Sequence, residues 1–167
     1  MKRNEALQKL LALKREFQAI SVVTMGAIPE WHELGGADID NLDVTGMGLA
    51  SSVGLGIALA RPDRFVMVID GDGSLLMELG SLLTIYDANP QNFVHFILCN
   101  GIYETTGGQK IPDLKRGQWV WNQIPEKISL GEYNPYWLEI DPDTPRTYPK
   151  LDLPQQVKIL QESLKNG

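Results

Sequence analysis

The chain has 167 residues, about 43% of them apolar, and a formal net charge of −6. That length suits one domain with a substantial core and is too short for two full enzyme domains. The acidic balance excludes a general nucleic-acid binder, which needs clustered Lys and Arg, and otherwise reads as ordinary solubility.

The N-terminus, MKRNEALQKLLALKREFQ, begins basic but mixes charges through its apolar positions, unlike a secretory signal. Residues 3–18 place Leu7, Leu10, Leu11 and Phe17 on one stripe at helical spacing, with Lys9, Arg15 and Glu16 mostly elsewhere. A β-rich stretch follows at Ile20–Thr24, then a helix over 29–34, where Pro29 suits a first turn. Residues 42–44 are a short strand. Residues 48–60 are small and apolar almost all round, which predicts a buried helix ended by Arg61-Pro62.

Residues 65–69 (FVMVI) form a continuous apolar run, expected of a strand covered on both faces. Gly71-Asp72-Gly73 turns into a helix over 74–88, which Asn89-Pro90 stops, and Phe93–Cys99 is a second buried strand. Strand, Gly-rich turn, helix and strand make a βαβ unit, so the fold class is α/β, a parallel sheet covered by helices. Beyond Gly101 the periodicity is lost, apart from a strand over 136–140 and a terminal amphipathic helix over 154–165. No apolar run reaches the roughly 20 residues that span a bilayer. Cys99 is the only cysteine, so no intrachain disulfide can form and a cytoplasmic protein is expected.

Ligands of open α/β sheets sit at the carboxyl ends of the strands. Gly71 and Gly73 let the backbone approach a ligand closely, and a helix beginning at Ser74 offers N–H groups to phosphate. Asp72 between them makes sense if a divalent cation lies between carboxylate and anion. Asn100-Gly101 ends the next strand, and an Asn carbonyl is a hard oxygen ligand of the kind Mg²⁺ takes in its set of about six. A lone GDG or an Asn-Gly is more often a plain turn. The combination is more specific, with 26 residues between Gly73 and Asn100.

This arrangement resembles the thiamine-diphosphate motif, a GDG followed after some two dozen residues by a paired Asn. The resemblance implies a domain of the diphosphate-binding (PP) type over residues 1–167. Its metal ligands would be Asp72, Asn100 and the carbonyl of Ile102, its cofactors thiamine diphosphate and Mg²⁺. Cys99 replaces the first Asn of the pair and removes no ligand. Thr45-Gly46-Met47-Gly48 resembles the segment that props the bent cofactor, with Met47 as the prop and the Thr45 carbonyl facing the pyrimidine amino group.

Within the superfamily, GMGLASSVGLGIAL, VIDGDGSLLMELGSLLTI and NGIYETTGGQ are most similar to the sulfopyruvate and phosphonopyruvate decarboxylase branch. That likeness implies a carboxy-lyase acting on a small 2-oxoacid. The activating Glu of the family lies on a pyrimidine-binding domain, for which these residues have no counterpart, so it is expected on a partner chain of a hetero-oligomer. Glu104 is an acid–base candidate, balanced against a solvated loop residue. Lys110, Lys115 and Arg116 read as solvated surface, His95 as a satisfied core histidine, and His32 has no assigned role. Trp119 and Trp121 could anchor a subunit interface.

Three rivals stand beside this reading. A dinucleotide-binding module is the first, but GxGxxG fails because Ser51 occupies the third Gly position after Gly46 and Gly48, and no P-loop lysine signature is present either. A non-catalytic or regulatory cofactor-binding subunit would fit the altered segment after Gln109. A subunit of an acetolactate-synthase-like carboligase or of an oxoacid oxidoreductase would differ in its product.

Overall fold

The computed structural model describes residues 1–112, 135–142 and 153–166. Its strands are β1 (Ile20–Thr24), β2 (Asn41–Val44), β3 (Val66–Gly71), β4 (Phe93–Cys99), β5 (Ile102–Tyr103), β6 (Gln109–Lys110) and β7 (Tyr136–Glu139). Its helices are α1 (Arg3–Glu16), α2 (Ile28–Glu33), α3 (Ala50–Ala60), α4 (Asp72–Leu76), α5 (Gly80–Ala88) and α6 (Leu153–Asn166). Five strands form one sheet in the order β2-β1-β3-β4-β7, with every neighbouring pair parallel. The α/β class and the parallel sheet expected from the βαβ pattern are therefore present.

Both faces of the sheet are covered, which explains why its central strands read as unbroken apolar runs. On one face Leu7, Leu10 and Leu11 of α1 and Trp31 of α2 pack against Val23, Met67, Ile69 and Leu98. On the other, Ala50 and Ala58 of α3 and Leu160 of α6 pack against Ile20, Val22, Val66 and Val68. Leu75, Leu82 and Ile97 form a smaller third cluster where α4 and α5 meet β4.

Several expectations need correction. Phe17, assigned to the buried stripe, is exposed and stacks on Phe65, their ring centroids 5.4 Å apart. The expected helix over 48–60 begins at Ala50 and is not buried all round, since Leu59 and the preceding Leu49 are exposed. Small residues pack its inner face. At Gly54 an added Cβ would lie 2.3 Å from a Val68 methyl.

The expected helix over 74–88 is two helices. Met77 and Glu78 N–H groups bond to the Ser74 and Leu75 carbonyls, so α4 closes in tight i→i+3 turns before α5 begins at Gly80. Glu78 there passes close to Gly48, whose φ of +82° suits glycine and whose added Cβ would meet the Glu78 Cβ at 3.1 Å. The strand expected over 65–69 runs to Gly71, because β4 continues to pair with it through Gly71 and Leu98. Asn89 ends α5 as expected, in the left-handed conformation.

The β5–β6 hairpin was not anticipated. It is a two-residue antiparallel pair whose turn uses Gly107 and Gly108, both at positive φ. Lys115, Arg116, Trp119 and Trp121 lie outside the described residues, as does most of the segment after Gln109.

Candidate functional site

The strand order fixes where a ligand can sit. From β1 the chain passes to β2 on one side, while β3 lies on the other, so the sheet has its topological switch between β1 and β3. Open α/β sheets bind ligands in the crevice above such a point, at the carboxyl ends of the strands. The cavity found there is lined by residues 24–27 at the end of β1, by residues 70–74 at the end of β3, and by Asn100 with residues 102–105 after β4. Met47 reaches it from the segment before α3.

Asp72 is the best-defined group in it. The residue is 2% exposed, yet its two carboxylate oxygens are both engaged. Oδ1 accepts the N–H of Gly73 at 2.8 Å, and Oδ2 accepts the N–H of Gly101, also at 2.8 Å. The second bond crosses from the end of β3 to the end of β4 and depends on Gly101, whose φ of +76° aims its N–H back at the carboxylate. Burial pushes the Asp72 carboxyl above its ordinary range, against opposing hydrogen bonds from the Gly101, Gly73 and Asn100 backbone. A buried carboxylate with this bias is the kind of group that a cation stabilises.

Asn100 stands next to it and is held at both ends. Its Oδ1 accepts the N–H of Ile102 at 3.0 Å, and its Nδ2 donates to Oε2 of Glu104 at 2.8 Å. Glu104 also accepts from the guanidinium of Arg3, at the start of α1. The two charged side chains are only 4% and 9% exposed, so Glu104 is not a solvated loop residue.

The expected phosphate seat is altered. The helix begins at Asp72 with Gly71 as its N-cap, and α4 is only five residues long, so it carries a much smaller dipole than a 15-residue helix would. One of its first-turn N–H groups, that of Gly73, already serves Asp72. Ser74 Oγ accepts the Gly48 N–H at 2.9 Å and ties the GDGS turn to the segment carrying Met47. Over Gly73 lies the ring of Tyr103, so close that a Cβ there would be 2.8 Å from Cδ1.

Of the residues singled out from sequence, Met47, Gly71, Asp72, Gly73, Ser74, Asn100, Ile102 and Glu104 line this one cavity. Thr45 and Gly46 are not among its lining residues, and Thr45 is exposed. Lys110 is exposed on β6, as a solvated residue should be. His95 is buried with Nε2 3.4 Å from Oδ2 of Asp70, a core pairing beneath the cavity. His32, given no role, sits 2.7 Å from the Asp43 carboxylate, which also accepts from Gln156 of α6. Sequence reading missed Arg3 and residues 24–27. Arg3 lies 101 positions from its partner Glu104, and only the fold brings the two together.

No cluster of three or more His, Cys, Asp or Glu occurs among the described residues. The cavity lining carries the carboxylates of Asp70, Asp72 and Glu104 and the amide of Asn100, oxygen donors without a His or Cys among them. An all-oxygen lining of this kind suits a hard cation such as Mg²⁺ better than Zn²⁺, which favours His and Cys. Fold and lining together define an α/β crevice at the carboxyl ends of β1, β3 and β4, with Asp72 and Asn100 side by side in it.

Residues 31–129 match the model of the thiamine pyrophosphate enzyme C-terminal TPP binding domain, more than half of the chain, and the chain belongs to that family. It is 45% identical over 105 residues to phosphonopyruvate decarboxylase of Streptomyces viridochromogenes, covering 63% of this chain and 26% of that protein. It is 59% identical over 64 residues to sulfopyruvate decarboxylase subunit beta of Methanocaldococcus jannaschii, covering 38% of this chain and 34% of that one. The chain thus aligns with about a quarter to a third of these two relatives. An X-ray structure from Mycobacterium smegmatis, described as a thiamin diphosphate-dependent enzyme, covers 87% of this chain and 32% of its own at a TM-score of 0.60. At 19% identity that likeness shows the fold alone.

Proposed function

We propose that this chain, as one domain over residues 1–167, is the diphosphate- and Mg²⁺-binding subunit of a thiamine-diphosphate-dependent 2-oxoacid decarboxylase. Its substrate is a small 2-oxoacid of the sulfopyruvate or phosphonopyruvate kind, and a pyrimidine-binding partner chain completes the active site in a cytoplasmic hetero-oligomer. The observation that carries this reading is the bond from Gly101 N–H to Asp72, which joins the GDG turn to the Asn100-Gly101 turn at one sheet edge. The relatives named decarboxylases, one of them as a beta subunit, support the reaction class and the partner. Cys99 is the only cysteine of the sequence, so no intrachain disulfide can form, which fits a reducing compartment.

In this reading Asp72, the Asn100 amide oxygen and the Ile102 carbonyl would hold Mg²⁺, and Gly71, Gly73 and Ser74 would contribute to the diphosphate site. Once bound, the cofactor supplies the electron sink that decarboxylation of a 2-oxoacid requires. The chain's own residues bind and orient. Met47 presents an apolar side chain beside the cavity, its sulfur 4.0 Å from the Thr105 hydroxyl. Thr45 and Gly46 lie outside the cavity lining, and the Thr45 carbonyl would meet the pyrimidine amino group only in the assembled site, where the partner would supply the activating Glu.

Co-expression with a pyrimidine-domain partner and assay on sulfopyruvate and phosphonopyruvate test the proposal. Carbon dioxide and the corresponding aldehyde are the expected products. An acyloin or a reduced electron acceptor would instead identify a carboligase or an oxidoreductase subunit.

A further inference from the structure

The Arg3–Glu104–Asn100 chain of contacts has a direction built into it. Glu104 offers Asn100 only an acceptor, and the Ile102 N–H offers it only a donor. Both bonds exist for one orientation of the amide. Turning it over would set its oxygen against the Glu104 carboxylate and its NH₂ against an N–H, and both bonds would be lost. Arg3 holds Glu104 in place from α1, and burial of both charged side chains keeps water from substituting for either. Amide orientation matters at one kind of site in particular, where the oxygen must face a cation and the NH₂ must not.

We propose that Glu104 is a positioning residue which, anchored by Arg3, fixes the Asn100 amide with its oxygen available to the metal. This rests on the assignment of Asn100 as a metal ligand. Partners of this sort around a metal ligand typically govern affinity by about 10–100-fold. In this role Oε2 of Glu104 receives two donors at once, the Arg3 guanidinium and the Asn100 amide.

The test is Mn²⁺ binding to the full chain with thiamine diphosphate present, read by electron paramagnetic resonance, with a thermal melt of every variant. Glu104→Ala is expected to weaken Mn²⁺ binding by about 10-fold or more. Glu104→Gln, whose carbonyl can still accept from Asn100, should recover most of that loss. In an Asn100→Asp background the ligand has two equivalent oxygens and no orientation to set. There, adding Glu104→Ala should cost nothing, or should improve binding by removing a neighbouring negative charge. Equal losses from Glu104→Ala in both backgrounds would overturn the proposal and assign Glu104 a merely structural role. Failure of the wild type to bind Mn²⁺, with or without thiamine diphosphate, would overturn the metal-site assignment itself. Binding by the wild type that Asp72→Ala abolishes and Glu104→Ala leaves untouched would sink the positioning role alone.

Discussion

Replacing Asp72 by Ala separates the cost to the fold from the cost to the site. The substitution leaves two N–H groups without their acceptor, but they are not equivalent. That of Gly73 is buried, and losing its partner costs about 1–3 kcal/mol. Gly101 is exposed, so water can take over much of the second bond. Against these losses stands relief from burying a charge, since burial holds the Asp72 carboxyl above its ordinary range. The net cost should stay within about 2 kcal/mol, well inside the roughly 5–15 kcal/mol stability of a domain. For a chain of this size that lowers Tm by about 4–8 °C at most. The ligand response should change completely. Thiamine diphosphate and Mg²⁺ at about 100 times Kd should stabilise the wild type by about 2.7 kcal/mol, a rise of about 5–11 °C. Differential scanning fluorimetry with and without the pair should show that rise in the wild type and none in the variant. A folded Asp72→Ala chain that rises as far as the wild type would refute the metal-site argument.

Gly73→Ala should fold but weaken thiamine-diphosphate binding in calorimetry, because the new Cβ would come 2.8 Å from the Tyr103 ring and force the hairpin away from the turn. Gly54→Ala should instead destabilise the whole chain, by about 1–3 kcal/mol in urea unfolding, since a Cβ 2.3 Å from the stiff Val68 side chain overpacks α3 against β3. Met47→Ala should lower decarboxylation by the assembled enzyme more than it lowers cofactor affinity, measured as kcat against Kd. The Asp72 carboxyl also gives a pH signature in the metal-free chain. Its folded pKa lies above the ordinary 3.8, so the folded state binds the proton more tightly and ionised Asp72 costs stability at neutral pH. That cost disappears as pH falls through the raised value toward 3.8. Urea melts of wild type and Asp72→Asn should therefore differ differently at pH 7 and near pH 4, with the wild type gaining relative to the variant as pH falls.

Much of this architecture could be read from local pattern. β1, β3 and β4 are apolar on both faces because helices cover both faces, and unbroken runs such as FVHFILC carry that information directly. Gly71-Asp72-Gly73 and Asn100-Gly101 were visible as turns, and the parallel pairing of β3 with β4 brings them together. What stayed hidden depends on contacts distant in sequence. The break between α4 and α5 carries no Pro, and the apolar periodicity runs straight through Met77 and Leu79. Asp70 is a poor strand former by propensity, yet ladder pairing with Ile97 holds it in β3. His32 found its carboxylate on β2, and Arg3 found Glu104 across the fold. Neither pairing leaves a periodic trace in the sequence.

As proposed, the GDG and Asn-Gly turns together hold thiamine diphosphate through a divalent cation. Isothermal calorimetry of the purified full chain tests it most directly, titrating thiamine diphosphate first with Mg²⁺ and then with a chelator. Saturable binding that requires Mg²⁺ is the predicted result. Absence of binding in both conditions, or binding unaffected by the chelator, would contradict it.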